Sequence, residues 1–180
     1  EEIVPFEFAE MNAEATTRGL RFNNPENVKV KDAQDYLGFI KKQGIVLDVK
    51  ERKQSIAEQV NKLAAEVGGK VEIDEALLAE ITHLVEAPTA LIGQYEEEHL
   101  KLPKEALVTV MKKHRRYFPV QKDGKLLPYF VTVKNGDDQH LDLIAEGNAN
   151  VVRARFADAA FFVEEDLKQK LEDFLPRLDT

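Results

Sequence analysis

The chain has 180 residues, of which 43% are hydrophobic, so it can bury the core of one domain or two small ones and wholesale disorder is excluded. Its net charge is −8, and it has no Cys, which excludes thiol catalysis, disulfides and thiolate zinc sites and fits a reducing compartment. No apolar run approaches the roughly 18 residues that span a membrane, and the sequence has no signal-peptide pattern. We therefore expect an internal, cytoplasmic piece of a longer protein with no membrane partner.

Residues 1–30 are predicted to form short strands and turns. The Asn23–Pro25 turn signal separates Arg18–Phe22 from Val28–Val30, and both segments are too short for helices.

Residues 31–88 are predicted to be mainly helical. Asp32 is the expected N-cap of a first helix, supported by Asp35 in its first turn. Gly44 ends this helix, and Ile45–Leu47 is predicted to be a short strand. The helix is expected to bury a stripe formed by Ala33, Tyr36, Leu37 and Ile40.

Two further helices follow in the same section. The first repeats apolar residues at helical spacing and ends at Gly68-Gly69, and the second begins after Asp74 and closes at Pro88. Their expected inner faces are Ile56, Val60, Leu63 and Val67 for one helix, and Leu77, Leu78, Ile81, Leu84 and Val85 for the other.

Residues 89–180 mix strands and helices. A strand at Thr89–Tyr95 precedes a helix from Pro103 to about His114, and a long helical pattern starts near Leu141, with an expected break near Gly147. Asp123-Gly124 between two apolar runs is a strong β-hairpin signal. Together these elements predict the α+β class with mainly antiparallel strands, in one compact domain or two small subdomains.

Prolines qualify the prediction for the hairpin strands. Pro119 and Pro128 lack a backbone N–H, so we expect them to push both strands toward a sheet edge or a strand start.

The segment from Leu100 to Lys134 is a basic region in an acidic chain. It contains nine Lys or Arg against Glu105 and Asp123, a net charge of +7, so the remainder carries −15. Lys and Arg neutralise phosphates, so the region indicates a polyanion surface, although a solvated helix face followed by a strand gives the same pattern. The expected nucleic-acid ligands here are Lys112, Lys113, His114, Arg115, Arg116 and Lys122, and all except His114 are expected to form one exposed basic face near the hairpin.

Catalytic and metal-binding patterns are poorly represented. Ser55 lies inside an amphipathic helix without a nucleophile elbow, and no glycine-rich nucleotide loop occurs. The spacings of His83 with Glu86 and of Glu97 with His99 do not form a closed metal-ligand set. We therefore expect no catalytic residue and no metal site.

Two arginines follow Glu146–Asn150, whose backbone amides would be exposed to an anion if a new helix started near Gly147. The alternative is a helix cap followed by arginines that bond acidic neighbours. Arg153 and Arg155 point about 200° apart on a helix. We assign a structural role to Arg155 with Asp158, three residues later, and a phosphate-binding role to Arg153.

Four motifs carry a family resemblance, and they are Leu102–Leu107, Met111–Val120, Asp123–Pro128 and Glu146–Arg155 with its continuation to Phe162. In order and spacing they resemble the β subunit of the bacterial heterotetrameric glycyl-tRNA synthetase. The upstream blocks Thr17–Phe22 and Leu84–Pro88 also match, so the resemblance covers nearly the whole chain.

The resemblance implies a tRNA-facing accessory section of that β subunit. The family's enzyme joins glycine to tRNA(Gly) with ATP, and adenylation, with ATP and Mg, belongs to the separate α subunit. The protein partners would be the α subunit and the remaining β domains, and this section alone would bind no cofactor and be inactive. The alternative is a structural spacer that does not touch tRNA, and a hydrolytic editing role is a third reading that the missing nucleophile argues against.

Overall fold

The computed structural model describes residues 4–21, 26–168 and 170–178. The Asn23–Pro25 turn predicted from the sequence lies outside the described residues. The chain opens with two small antiparallel hairpins, whose strands are β1 (Glu7–Phe8) with β2 (Met11–Asn12) and β3 (Thr16–Arg18) with β4 (Asn27–Lys29).

The first helix, α1, spans Ala33–Lys42 and begins where the sequence predicts. The Asp32 carboxylate accepts the backbone N–H of Asp35 at 2.7 Å, which confirms the N-cap. The predicted buried stripe is wrong except at Ile40, because the described elements leave the rest of that face uncovered, and Leu37 is 55% exposed.

The second helix, α2, spans Val49–Glu66 and supplies a large part of the core. Asp48 caps it by accepting two backbone N–H groups of the first turn, at 2.8 and 2.9 Å. Ile56 and Val60 are completely buried, as their four-residue spacing predicts. The helix ends before Gly68, whose φ of +71° is a left-handed conformation that glycine adopts without strain.

The predicted strand at Ile45–Leu47 is wrong, because this segment is an irregular connection. The N–H of Val46 donates to the carbonyl of Glu86 at 2.8 Å. The Arg52 guanidinium donates to the carbonyl of Val46 and, at 2.8 Å, to that of Thr82. An arginine side chain therefore satisfies backbone groups that a sheet ladder would otherwise pair.

The third helix, α3, spans Glu75–Leu84 and follows the two-residue strand β5 (Lys70–Val71). Asp74 caps the helix as predicted. Leu84 was expected on the inner face but is 59% exposed, because the helix ends there and the chain becomes extended at Val85, which is buried instead.

Three longer strands complete a four-stranded sheet with β5. They are β6 (Pro88–Gln94), β7 (Phe118–Lys122) and β8 (Lys125–Asn135). The strand order is β5-β7-β8-β6, and every neighbouring pair is antiparallel. Helices combined with an antiparallel sheet confirm the predicted α+β class.

Both prolines lie in the two inner strands, so the sheet-edge alternative of the prediction is wrong. The strand-start alternative fits Pro119, the second residue of β7, but not Pro128, which lies inside β8. β5 pairs with β7 only from Val120 onward, and the β6–β8 ladder stops at Tyr129. The ladder between β7 and β8 is irregular just after Pro119. The carbonyl of Pro128 accepts the N–H of Tyr95 at 3.0 Å. Short partner strands and a bulge thus remove the need for two proline N–H donors.

A short helix precedes the hairpin of β7 and β8. This helix, α4 (Lys104–Thr109), follows a 3₁₀ turn at Glu97–Lys101 and continues without interruption into a π-helical turn at Val110–His114.

The last long helix, α5, spans Leu141–Asp166, and a 3₁₀ segment follows at Leu171–Leu178. The expected break near Gly147 is wrong, because α5 runs through this glycine. One interior glycine costs only about 1 kcal/mol relative to alanine, and the burial of Val152 and Phe156 outweighs it. The amides at Glu146–Asn150 lie inside the helix, so the exposed anion site considered there is also wrong.

The sheet separates two hydrophobic cores. Helices α2 and α3 pack on one face, and α4 and α5 pack on the other. Because side chains alternate along a strand, Val131 joins the first core and its neighbour Phe130 joins the second. Among the described residues, no helix has both the length and the apolar character that crossing a membrane requires.

Gly93 is predicted to be essential for packing at this sheet. A Cβ at Gly93 would lie 2.3 Å from Cζ of the completely buried Phe130. We expect Gly93→Ala to lower the free energy of unfolding by about 1–3 kcal/mol, measured by urea denaturation. Gly147→Ala is the matched control, because its Cβ meets no atom within 4 Å, and it should raise stability by about 0.5–1 kcal/mol. Equal effects of the two substitutions would contradict this packing argument.

Candidate nucleic-acid interface

A π-helical turn positions the cations that follow α4. Leu107 and Met111 are buried and anchor the helix in the second core. The chain then reverses, with Arg116 at a φ of +59° and the N–H of Tyr117 donating to the carbonyl of Met111 at 2.9 Å. Four cations in five positions are thereby displayed around a tight reversal that leads into β7.

Two of these cations contact carboxylates of the α3 segment. Lys112 Nζ lies 3.2 Å from Asp74 Oδ2, and Arg116 Nε lies 2.6 Å from Glu80 Oε1. Lys112 is half-buried, with 28% of its side chain exposed, which corrects the expectation that it belongs to an exposed face. Such surface pairs are worth about 0–1 kcal/mol each, so they orient the two cations without contributing much to stability.

The two cations between them differ in environment. Lys113 is exposed. Arg115 is half-buried, which also departs from the expected exposed face, and its Nε is a buried atom without a hydrogen-bond partner. The side chain of His114 lies outside the described part of the structure, so its predicted role stays a prediction.

A second basic cluster surrounds the tip of the β7–β8 hairpin. Lys122 and Lys125 are exposed and occupy directly opposite positions in the ladder. Asp123 and Gly124 have φ values of +50° and +79°, as a type I′ turn requires. Lys104 Nζ donates to the carbonyl of Gly124 at 2.9 Å, which brings a third ammonium group to the tip.

The basic residues therefore form two clusters rather than one face near the hairpin. We call them the turn cluster (112, 113, 115 and 116) and the tip cluster (104, 122 and 125). Strand β7 joins the clusters, with Lys122 at its tip end, and its two ends are about 13 Å apart at 3.3 Å per residue. Sequence reasoning missed Lys104 and Lys125 as site residues, although the hairpin register alone places Lys125 opposite Lys122.

Helix α5 carries Arg153 and Arg155. Arg155 has the predicted partner, whereas Arg153 has a partner that was not predicted. Arg155 Nη1 lies 3.3 Å from Asp158 Oδ2, the contact that the three-residue spacing predicts. Arg153 Nε lies 2.6 Å from Glu96 Oε1, and its Nη1 donates to Asn150 Oδ1 at 2.6 Å. The outward-facing role predicted for Arg153 is thus corrected, because a carboxylate 57 positions away in the sequence orients it.

The polar groups of a type that can take part in catalysis serve the fold instead. Gln59 donates to Ser55 Oγ at 3.1 Å and also bonds the backbone of β6 at Ala90. Burial raises the pKa of the Tyr95 and Tyr117 hydroxyls, and Tyr95 donates to a backbone carbonyl at 3.0 Å. In the ranges that the structure describes, no three His, Asp or Glu side chains are grouped to hold a metal ion.

The geometry defines an α+β module with two basic clusters at opposite ends of one strand. The family model described as "Glycyl-tRNA synthetase beta subunit" matches residues 1–180. The chain belongs to this family.

Curated relatives give the same result. The chain is 43% identical to the "Glycine--tRNA ligase beta subunit" of Clostridioides difficile over 180 residues, which are 100% of this chain and 26% of the relative. The protein of the same description from Listeria welshimeri is 46% identical over 99% of this chain and 26% of its own length. That from Trichodesmium erythraeum is 46% identical over 90% of this chain and 23% of its length. The chain thus spans about a quarter of the length of these relatives.

Asp74 is predicted to make stability depend on pH. The N–H of Leu77 and the Lys112 ammonium hold the pKa of this carboxyl below its ordinary value of 3.8. The unfolded chain therefore binds more protons, so the contribution is present above pH 3.8 and is lost as pH falls through the folded-state pKa.

Asp74→Asn keeps a capping oxygen but removes the charge. We expect it to lower the free energy of unfolding at neutral pH by about 0.5 kcal/mol, after allowing for solvent screening, and to match the parent in strong acid. Urea denaturation at several pH values measures this difference, which should shrink in a Lys112→Met background but not in a Lys113→Met background. A difference that persists unchanged in acid would show that the charge is not responsible.

Proposed function

We propose that this chain is a tRNA-contacting accessory part of a glycine–tRNA ligase β subunit that acts in the cytoplasm. The α subunit would attach glycine to tRNA(Gly) with ATP and Mg, and this part would bind neither and be inactive alone. Its other partners would be the remaining domains of the β subunit. The tip cluster, on the β7–β8 hairpin, is the observation that carries the proposal.

Like charges at the tip support a phosphate ligand. Lys122 and Lys125 face each other across the hairpin, an arrangement that destabilises a pair of strands. Within the described part of the chain, neither lysine forms an ion pair that would relieve the repulsion. A phosphate between them would do so and would release counterions from the nucleic acid.

The turn cluster offers a second group of cations at the other end of β7. Lys113 is its exposed cation without a partner among the described residues, so we assign it the direct phosphate contact there. Lys112 and Arg116 pair with α3, and Arg153 pairs with Glu96, so these three serve mainly to position the surface.

A structural spacer is the second candidate function, and exposed apolar side chains favour it. Phe8 and Met11 near the start of the chain are 74% and 70% exposed, and Leu167 near its end is 81% exposed. Such residues suit contacts with other parts of a β subunit about four times as long as this chain. The two functions are compatible, and tRNA binding distinguishes a spacer alone from a tRNA-contacting part.

We expect tRNA binding by the 180-residue chain to weaken steeply with salt. The double variant Lys122→Gln, Lys125→Gln should lower the slope of log affinity against log salt by about 1 per lysine. Filter binding or fluorescence anisotropy with labelled tRNA(Gly) between low and physiological salt measures the slope.

The matched control is Lys62→Gln with Lys50→Gln, two exposed lysines of α2. It removes the same charge at residues outside both clusters and should leave the slope nearly unchanged. If both double variants lower the slope equally, the effect comes from net charge and not from the tip cluster. If the chain does not bind tRNA(Gly) even at low salt, the structural spacer is favoured.

A further inference from the structure

A cavity lies where α5 passes the π-helical turn, and Arg115 is the one lining residue that it shares with the turn cluster. Its volume is about 470 Å³, a size within the range of small-molecule sites. Its lining combines two guanidinium groups, one carboxylate and one aromatic ring with small apolar groups, and consists of Val110, Arg115, Arg155, Asp158, Ala159 and Phe162.

One guanidinium atom beside this cavity has no hydrogen-bond partner among the described residues. The Nε atom of Arg115 is buried. Among the side-chain polar atoms of the described residues, it is the buried one that has no hydrogen-bond partner. Leaving a charged donor unsatisfied is costly, so such a group calls for an acceptor. The half-buried Arg115 side chain lines the cavity, so an anion that enters the cavity would offset the cost of its charge.

A second guanidinium shares the cavity. Arg155 contacts Asp158 at 3.3 Å, and both side chains are more than half exposed, so this ion pair is weak. Arg155 can therefore turn to an incoming phosphate, as arginines bind phosphate oxygens through two N–H groups. Asp158 would then be an acceptor for a hydroxyl or amino group of the same ligand.

An exposed aromatic ring completes the chemistry. Phe162 is 63% exposed although it is large and apolar, and it lines the cavity. Its ring contacts Phe161 edge-on, with centroids 5.6 Å apart, which supports its position. An exposed ring beside cations is the combination that binds single-stranded nucleic acid, because the base stacks while the backbone is neutralised.

We propose that this cavity binds one nucleoside monophosphate unit of a single-stranded RNA. The phosphate lies between Arg115 and Arg155, the ribose hydroxyls or base amino groups donate to Asp158, and the base stacks on Phe162. This inference rests on the proposed function, because it places one unpaired nucleotide of the bound RNA at a defined site.

NMR titration of the 180-residue chain with adenosine monophosphate tests the site. We expect amide shifts at the cavity residues, and binding of adenosine or of inorganic phosphate alone to be at least about tenfold weaker, because each supplies only one part of the contact. A single-stranded adenosine tetranucleotide should bind at least as tightly as the monophosphate. Tighter binding of the free monophosphate would overturn RNA as the source of the nucleotide.

Variants of the cavity residues are compared with variants of the same residue types elsewhere in the chain. Phe162→Leu and Arg115→Met should each weaken monophosphate binding at least about fivefold. Phe6→Leu and Arg18→Met change exposed residues of the same types outside the cavity and should alter binding less than about twofold. Thermal melting of each variant identifies misfolding, and Arg115→Lys, which keeps the charge but loses the Nε donor, should still bind more weakly than the parent.

The site and the proposed function fail in different measurements. Absence of monophosphate shifts at the cavity, or equal losses from Phe6→Leu and Phe162→Leu, would overturn the site. Salt-dependent tRNA binding that still requires Lys122 and Lys125 would then leave the proposed function intact. Monophosphate binding without salt-dependent tRNA binding would support a nucleotide site and overturn the tRNA surface.

Discussion

The antiparallel pairing of β7 with β8 is the interaction on which the rest of the structure depends. These inner strands supply residues to both cores, because the alternation along β8 directs Val131 to one face and Phe130 to the other. The type I′ turn at Asp123-Gly124 sets this register, and a slip of one residue would exchange the two faces. The same turn places Lys122 opposite Lys125, so the device that aligns the cores also creates the tip cluster.

The reversal after α4 shows how fold and charge are linked. Met111 must remain in the second core while the chain turns into β7, and the extra residue of a π-helical turn accommodates both demands. The cations that follow cannot all point to solvent. Lys112 and Arg116 form ion pairs with carboxylates of the α3 segment. Lys113 remains exposed, and Arg115 lines the cavity beside α5.

Within the described part of the chain, acidic residues thus pair with some cations of the basic surface and leave others without a carboxylate partner. Carboxylates at Asp74, Glu80 and Glu96 pair with three of the cations that the sequence marks as phosphate ligands. Exposed pairs of this kind exchange readily with other anions, since each is worth little in water. The cations at the two ends of β7 that have no ion-pair partner among the described residues would then attract a polyanion most strongly, and the cavity beside α5 would hold a single nucleotide.

Local sequence signals determined the α+β class, the hairpin and the capped helices, because turn chemistry at Asp123-Gly124 and capping by Asp74 act over a few residues. They also predicted the contact of Arg155 with Asp158. Only the tertiary structure decided which strands are central, that Gly147 lies inside a helix, and that Arg153 pairs with Glu96. These outcomes depend on partners far apart in the sequence, whose packing and charge override local preference.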